Sequence, residues 1–328
     1  MTDVEFAQRL ERHRRELHVH CYRMVGSFTQ AEDLVQEVML KAWRRRDDVR
    51  DGDNLRAWLY AIATNTCLDE IKARRRRVPS LGSHRDVPWL EPYPDRLLAE
   101  AAPPGEEPHE QAVARETIEL MFLAVIQLLP ARQRAAIVLR DVLDWPVADV
   151  AAVLELSTAA VNSALQRGRA TLRSHYPATE REAWSAPESA DAEREVLQAY
   201  IAAYENGDDD ATLALIADDI RVTMPPYPHL FEGAEQILML AARARDTGVW
   251  RLLPTSANRQ PAAACYLQDA DSGEFRAFKI DVLRVDGSRI REITTFGPEL
   301  FPAFDLPGVL SSPGRPDPPT LKEQTSWT

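Results

Sequence analysis

The sequence predicts a multidomain chain: two all-α segments, the second of helix-turn-helix form, followed by an α+β segment. Three observations carry this. Apolar residues recur at helical spacing through 4–77 and 112–175. Linkers rich in Pro, Ser and acids at 81–111 and 178–192 interrupt them. Strand-like runs near 250–257, 262–268, 274–285 and 289–296, with Asp271-Ser-Gly and Asp286-Gly-Ser turns, follow two or three helices. The expected boundaries are 1–80, 81–111, 112–177, 178–192, 193–305 and a flexible Pro-rich tail, 306–328.

The 328 residues carry a formal net charge of −12, unevenly placed. Residues 1–80 hold 16 Lys/Arg against 13 Asp/Glu, whereas residues 178–328 hold 14 against 25. Nucleic-acid contact is therefore expected of the first half and not of the second. No apolar run approaches the roughly 20 residues of a membrane helix. Cys21, Cys67 and Cys265 form neither a disulfide framework nor a metal pattern, so a reducing cytoplasm is expected, with no metal and no cofactor.

Residues 4–26 read as the first helix, and Gly26-Ser27 as a break. Thr29 is the expected N-cap of an amphipathic helix over Ala31–Arg46. Its stripe is Leu34, Val38 and Ala42, with Val35 and Met39 beside it. Asp33, Gln36 and Glu37 lie outside the stripe. Asp47–Asn54 is a polar loop, and Leu55–Arg77 a long helix ending in Arg74, Arg75, Arg76 and Arg77. That basic end is either a solvated terminus favoured by the helix dipole or a phosphate grip. Within the first linker, Pro88-Trp-Leu-Glu-Pro-Tyr-Pro-Asp95 is an apolar island expected to dock on something.

Helices are expected over 112–130 and 132–143. A short helix from Val147 to Leu154 then leads through Glu155-Leu156-Ser157, with Ser157 as N-cap, into a helix at 158–175. In that last helix Val161, Leu165, Gly168 and Leu172 fall within about 60° of one another at 100° per residue. Asn162, Ser163, Gln166, Arg167, Arg169 and Arg173 cover the rest, and no acid occurs from 157 to 176. Arg suits guanine, Asn and Gln suit adenine, and Ser suits bases or phosphates, so this face suits the major groove.

Four stretches now stand in order: Ala31-Glu-Asp-Leu-Val-Gln-Glu37, Trp58-Leu-Tyr-Ala-Ile-Ala-Thr-Asn65-Thr-Cys-Leu-Asp69, Leu129-Pro-Ala-Arg-Gln-Arg134 and Val161-Asn-Ser-Ala-Leu-Gln-Arg-Gly-Arg169. Together they resemble bacterial sigma-70-type factors of the extracytoplasmic-function group, over residues 5–177. The resemblance implies a partner, core RNA polymerase, met at the clamp helices of the largest subunit and the flap of the second largest, with promoter DNA as the other. It implies that Asp33, Gln36, Glu37 and Leu40 contact polymerase, with no basic partner needed inside the chain. Asp51 and Asn54 fall in the loop that captures a flipped −10 base, Asn65 and Asp69 near −10 readout, and Arg74–Arg77 on phosphates. This loop lacks the aromatic that many relatives carry before their Gly. Asn162, Ser163, Gln166 and Arg167 match −35 contacts, with Arg169 and Arg173 on the same face.

The final third resembles the cone-shaped SnoaL-like, ketosteroid-isomerase-like fold, which a subset of such sigma factors carries. Helices are expected at 193–205, 211–216 and 234–245, a short strand at 221–224, and a stiff loop at Pro225-Pro-Tyr-Pro-His229. Pocket candidates are Tyr200, Tyr204, Asp219, Tyr227 and His229, against the plainer reading of core tyrosines and a loop histidine. The expectation is a non-enzymatic promoter-recognition factor whose C-terminal domain regulates it, with a small-molecule ligand in that domain as an open option. Two rivals stay open: a one-component helix-turn-helix regulator that senses a ligand, and an isomerase or cyclase with a DNA-binding appendage.

Overall fold

The computed structural model describes residues 2–49, 54–75, 90–99, 120–175 and 190–310. These divide into two compact units. The helical unit spans 1–190 with 223–230 and 256–260; the second comprises 191–222, 231–255 and the rest from 261 onward.

The helical unit begins with α1 (Asp3–Val25), capped by Thr2 in a reciprocal capping box with Glu5. Gly26 ends it in the left-handed region, φ 74°, and donates to the Tyr22 carbonyl at 2.7 Å. α2 (Phe28–Arg44) follows at once. Its N-cap is Ser27, whose hydroxyl accepts from Gln30 N at 3.1 Å, and not Thr29. Either hydroxyl suits the role, but the chain leaves the Gly26 turn already extended at Ser27. α3 (Leu55–Arg75) completes a three-helix core around Leu17, Met24, Val38, Ala42, Leu59, Ala63 and Cys67.

Residues 90–99, expected in a linker, are part of this unit. They run into a short helix, α4 (Asp95–Ala99), and bury Leu90, Tyr93, Leu97 and Leu98. The apolar island docks because four large apolar groups at close spacing gain more by burial than a solvated linker would. Pro88 and Trp89 lie outside the described residues.

α5 (Leu120–Gln127), α6 (Ala131–Ile137), α7 (Val147–Leu154) and α8 (Thr158–His175) follow, the N-terminal part of the expected 112–130 helix lying outside the described residues. The single helix expected over 132–143 instead widens into a π-turn at Val138–Val142. Between α7 and α8, Glu155 closes the turn at φ 52° and Ser157 Oγ accepts from Ala160 N at 3.2 Å. Gly168 sits where α8 crosses α6 closely: a Cβ there would lie 3.0 Å from Ile137 Cγ1, so Ile137 would have to give by a few tenths of an ångström.

In the second part of the chain, α9 (Ala190–Asn206) and α10 (Asp209–Leu215), capped by Asp208, precede a strand longer than expected, β1 (Ile216–Met224). The Pro225–His229 loop is instead a turn at Pro225-Pro226 leading into β2 (Tyr227–Glu232). Pro is tolerated at strand starts and edges, and β2 is an edge strand. α11 (Ala234–Thr247), β3 (Trp250–Ala257), β4 (Gln260–Gln268), β5 (Phe275–Asp286) and β6 (Arg289–Phe296) complete the α+β order. The sheet order is β2-β1-β6-β5-β4-β3. A bulge at Cys265/Tyr266 and another at Arg284/Val285 bend β5 against its neighbours. After a 3-10 turn at Pro298–Phe304, β7 (Val309–Leu310) pairs with Phe275–Arg276. Residues 306–310, expected in the flexible tail, are described, and 311–328 lie outside the described residues.

Candidate polymerase and DNA interface

On α2 the stripe Ala31, Leu34, Val35, Val38 and Ala42 is buried. The opposite face exposes Asp33, Gln36, Glu37 and Leu40, the last at 57%. Glu37, for which no basic partner is needed in the polymerase-contact reading, does have one: Lys41 Nζ lies 2.7 Å away, one turn on, and donates to Thr66 Oγ1 at 3.1 Å. Asp33 and Gln36 are left on the open side of that pair.

The linker island anchors the start of α2. Glu91 Oε2 accepts from Ser27 Oγ at 2.9 Å and from Thr29 N at 2.8 Å, placing a carboxylate at the helix N-terminus. The Glu91 amide donates to the Gly26 carbonyl, and its own carbonyl accepts from Tyr22 Oη at 2.7 Å. Tyr93 fills a ring cluster with His18, Tyr22 and Phe28, and its hydroxyl meets His18 Nδ1 at 2.8 Å. Asn258, from the 256–260 segment, closes this cluster. It donates to Tyr22 Oη at 2.9 Å, and its side-chain oxygen accepts from Tyr93 N at 2.7 Å. Burial holds His18 down to about 4 and His20 to about 3.

The −10 candidates divide. Asn65 and Asp69 are exposed one turn apart on α3. Asn54 is spent as a cap, its Oδ1 accepting from Ala57 N at 3.1 Å. Arg74 turns inward to the Val25 carbonyl at 3.4 Å and sits near Glu70 and Glu91. Burial lowers its pKa against the pull of those carboxylates, and the side chain is partly exposed. Asp51, Arg76, Arg77 and the side chain of Arg75 lie outside the described residues.

The −35 candidates Asn162, Ser163, Gln166, Arg167, Arg169 and Arg173 are all exposed on α8, while Val161, Ala164, Leu165 and Gly168 are buried. Arg169 differs from the others. Its Nε and Nη2 donate to Asp141 Oδ2 and Oδ1 at 2.9 and 2.6 Å.

Of the five pocket candidates, the structure brings together Tyr200 with Tyr204, their rings 5.8 Å apart, and Tyr227 with His229, their rings 5.9 Å apart. Asp219 is exposed and paired with Arg291 at 3.0 Å, and Tyr227 is exposed and stacked on His229. What Tyr200 meets is Asp281, fully buried on β5. The carboxylate accepts from Tyr200 Oη at 2.9 Å, Lys279 Nζ at 2.7 Å, Thr295 Oγ1 at 2.6 Å and Cys265 Sγ at 3.4 Å. Burial alone would lower Lys279, but Asp281 outweighs it and holds the ammonium above its ordinary value. Burial, then Asp281, raises both Tyr200 and Cys265. The Asp281 carboxylate is engaged by four donors, and Tyr200, Cys265 and Lys279 are all held toward their protonated forms. This arrangement pairs a buried charge inside the sheet. The alternation of β5 could have flagged Lys279 and Asp281 as inward-facing, since strand residues two apart share a face.

These features coincide with known families. Residues 10–77 match the model of sigma-70 region 2, residues 119–172 that of sigma-70 region 4, and residues 197–293 that of the SnoaL-like domain. The ECF RNA polymerase sigma factor SigG of Mycobacterium tuberculosis is 40% identical over 323 residues, covering 93% of this chain and 85% of SigG. SigW of Bacillus subtilis, of the same description, is 26% identical over 168 residues, covering 51% of this chain and 87% of SigW. The crystal structure of M. tuberculosis SigJ shares the fold, with a TM-score of 0.63 and 22% identity, covering 93% of this chain and all of that one. Two sigma-70 regions define the class: an RNA polymerase sigma factor, which binds polymerase and promoter DNA and is not an enzyme. The chain belongs to the extracytoplasmic-function sigma factors, in the form that carries a C-terminal SnoaL-like domain. No single helix among the described residues is long and apolar enough to cross a membrane.

Proposed function

We propose that the exposed face of α2 is the surface that docks on the clamp helices of the largest polymerase subunit. The observation that carries this is Leu40, a large apolar side chain left 57% exposed beside the polar Asp33, Gln36 and Glu37. An apolar anchor inside a polar rim is the anatomy of a protein interface. In the same reading Asn65 and Asp69 meet the −10 strand. α8 enters the major groove at −35, and region 4 meets the flap of the second-largest subunit. The chain works in the cytoplasm, where polymerase is.

The SnoaL-like domain regulates this activity, in place of or beside a separate anti-sigma protein. Support comes from Asn258, which the chain contributes between two strands of that domain and which belongs to the helical unit, bonded to Tyr22 and Tyr93. A test is co-purification of core polymerase with the full chain and with Leu40→Asp. The variant should retain less than about a tenth of the wild-type complex, from loss of roughly 1.4 kcal/mol or more at a buried anchor. Duplex DNA binding should be unaffected. Equal recovery of polymerase by both chains would remove this assignment of α2.

A further inference from the structure

The acid-free helix α8 is met from outside by the carboxylate of Asp141. We propose that Asp141 is a positioning residue for sequence readout, holding Arg169 so that its outer edge reads a guanine in the −35 element. This rests on the reading of α8 as the DNA-facing helix. The geometry is specific. The carboxylate engages Nε and Nη2 together, the fork-to-fork pairing that fixes the plane of a guanidinium as well as its position. Nη1 makes no hydrogen bond among the described residues, and the Arg169 side chain is 47% exposed. The edge formed by Nη1 and the second hydrogen of Nη2 is thus the donor pair that O6 and N7 of guanine accept.

The backbone supports this arrangement. Asp141 sits in the π-turn Val138–Val142, where one extra residue per turn shifts side chains relative to an α-helical continuation. Gly168, the neighbour of Arg169, allows α8 to approach α6 closely. Arg167 and Arg173 are exposed on the same helix with no such carboxylate pairing among the described residues, and remain suited to phosphates. A free arginine spreads over many rotamers; a pinned one presents a single donor geometry and discriminates bases better.

The test is transcription by core polymerase with the full chain from a promoter library randomised through the upstream element. The wild type should prefer guanine at one position. Asp141→Asn and Arg169→Lys should each flatten that preference on the order of ten-fold. Preferences at other positions, and the salt dependence of Asp141→Asn, should be retained. Three results would overturn the proposal: Asp141→Asn weakening all sequences equally with a lower melting temperature, which marks a mere staple between helices; Asp141→Asn binding all sequences more tightly with a steeper salt dependence; or no change. A wild-type chain with no upstream preference would instead overturn the reading of α8 itself.

Discussion

Glu91 joins two stretches of chain that the sequence separates by more than sixty residues. Its carboxylate sits at the α2 N-terminus and its backbone bonds Gly26 and Tyr22. Glu91→Ala should destabilise the helical unit by about 2 kcal/mol, the scale of charged hydrogen bonds lost together. Glu91→Gln should lose less, and urea unfolding of the two variants checks the order. Asp281→Ala leaves Lys279 buried without its counter-charge, and should lower stability by about 3–5 kcal/mol. Thermal unfolding followed by tryptophan fluorescence reads this, because Trp250 packs against Tyr204, over which Lys279 lies. At this scale the sequence was only partly legible. Residue type correctly marked Ser157 as a cap and the outward face of α8, because local hydrogen bonding and periodicity decide both. It did not reveal that Asn54 also caps α3 or that Arg74 also reaches the last carbonyl of α1. Side chains of those types serve several purposes, and local structural roles depend on three-dimensional neighbours. Glu91, Asp141 and Asp281 were missed for the same reason: each acts on a partner distant in sequence.

Helices with strong amphipathic stripes were legible almost to their ends, and elements that depend on a partner were not. α1, α2, α7 and α8 follow their apolar spacing. α4 forms only because Leu97 and Leu98 find a core to enter, and β2 because β1 pairs with it. Proline marked the first as linker and the second as loop; it restricts φ and removes a donor, but leaves a helix start and a sheet edge available. β7 is likewise invisible without β5. α1 carries the pH dependence expected at this scale, because His18 and His20 are buried neutral. Unfolded histidine takes up a proton near 6.5, whereas these are held to about 4 and about 3. The unfolded chain therefore binds more protons as pH falls below about 6.5, and the helical unit loses stability down to pH 4. Melting temperatures measured from pH 7.5 to 4.5 should fall, and His18→Phe should flatten part of the slope. A wild-type profile that is flat over this range contradicts neutral burial.

Across the whole molecule, charge and chemistry are segregated. Residues 1–80 are slightly basic and residues 178–328 strongly acidic, so binding to DNA belongs to the first part of the chain. The domain order and the α+β architecture of the last third were legible, because alternating patterns and turn residues are local signals. The polar interior of that last domain was not, since pairing between Tyr200, Lys279, Asp281 and Thr295 depends on sheet register. Deleting residues 193–328 should change transcription with core polymerase, in rate or in promoter choice, if the C-terminal domain regulates. The most direct test of the account is transcription by purified core RNA polymerase from a promoter library, with and without the full chain and with Leu40→Asp. The account predicts promoter-specific transcripts that require the chain and are lost with Leu40→Asp, while duplex binding persists. Duplex binding by the full chain without association with core polymerase, and with no transcripts, would contradict it.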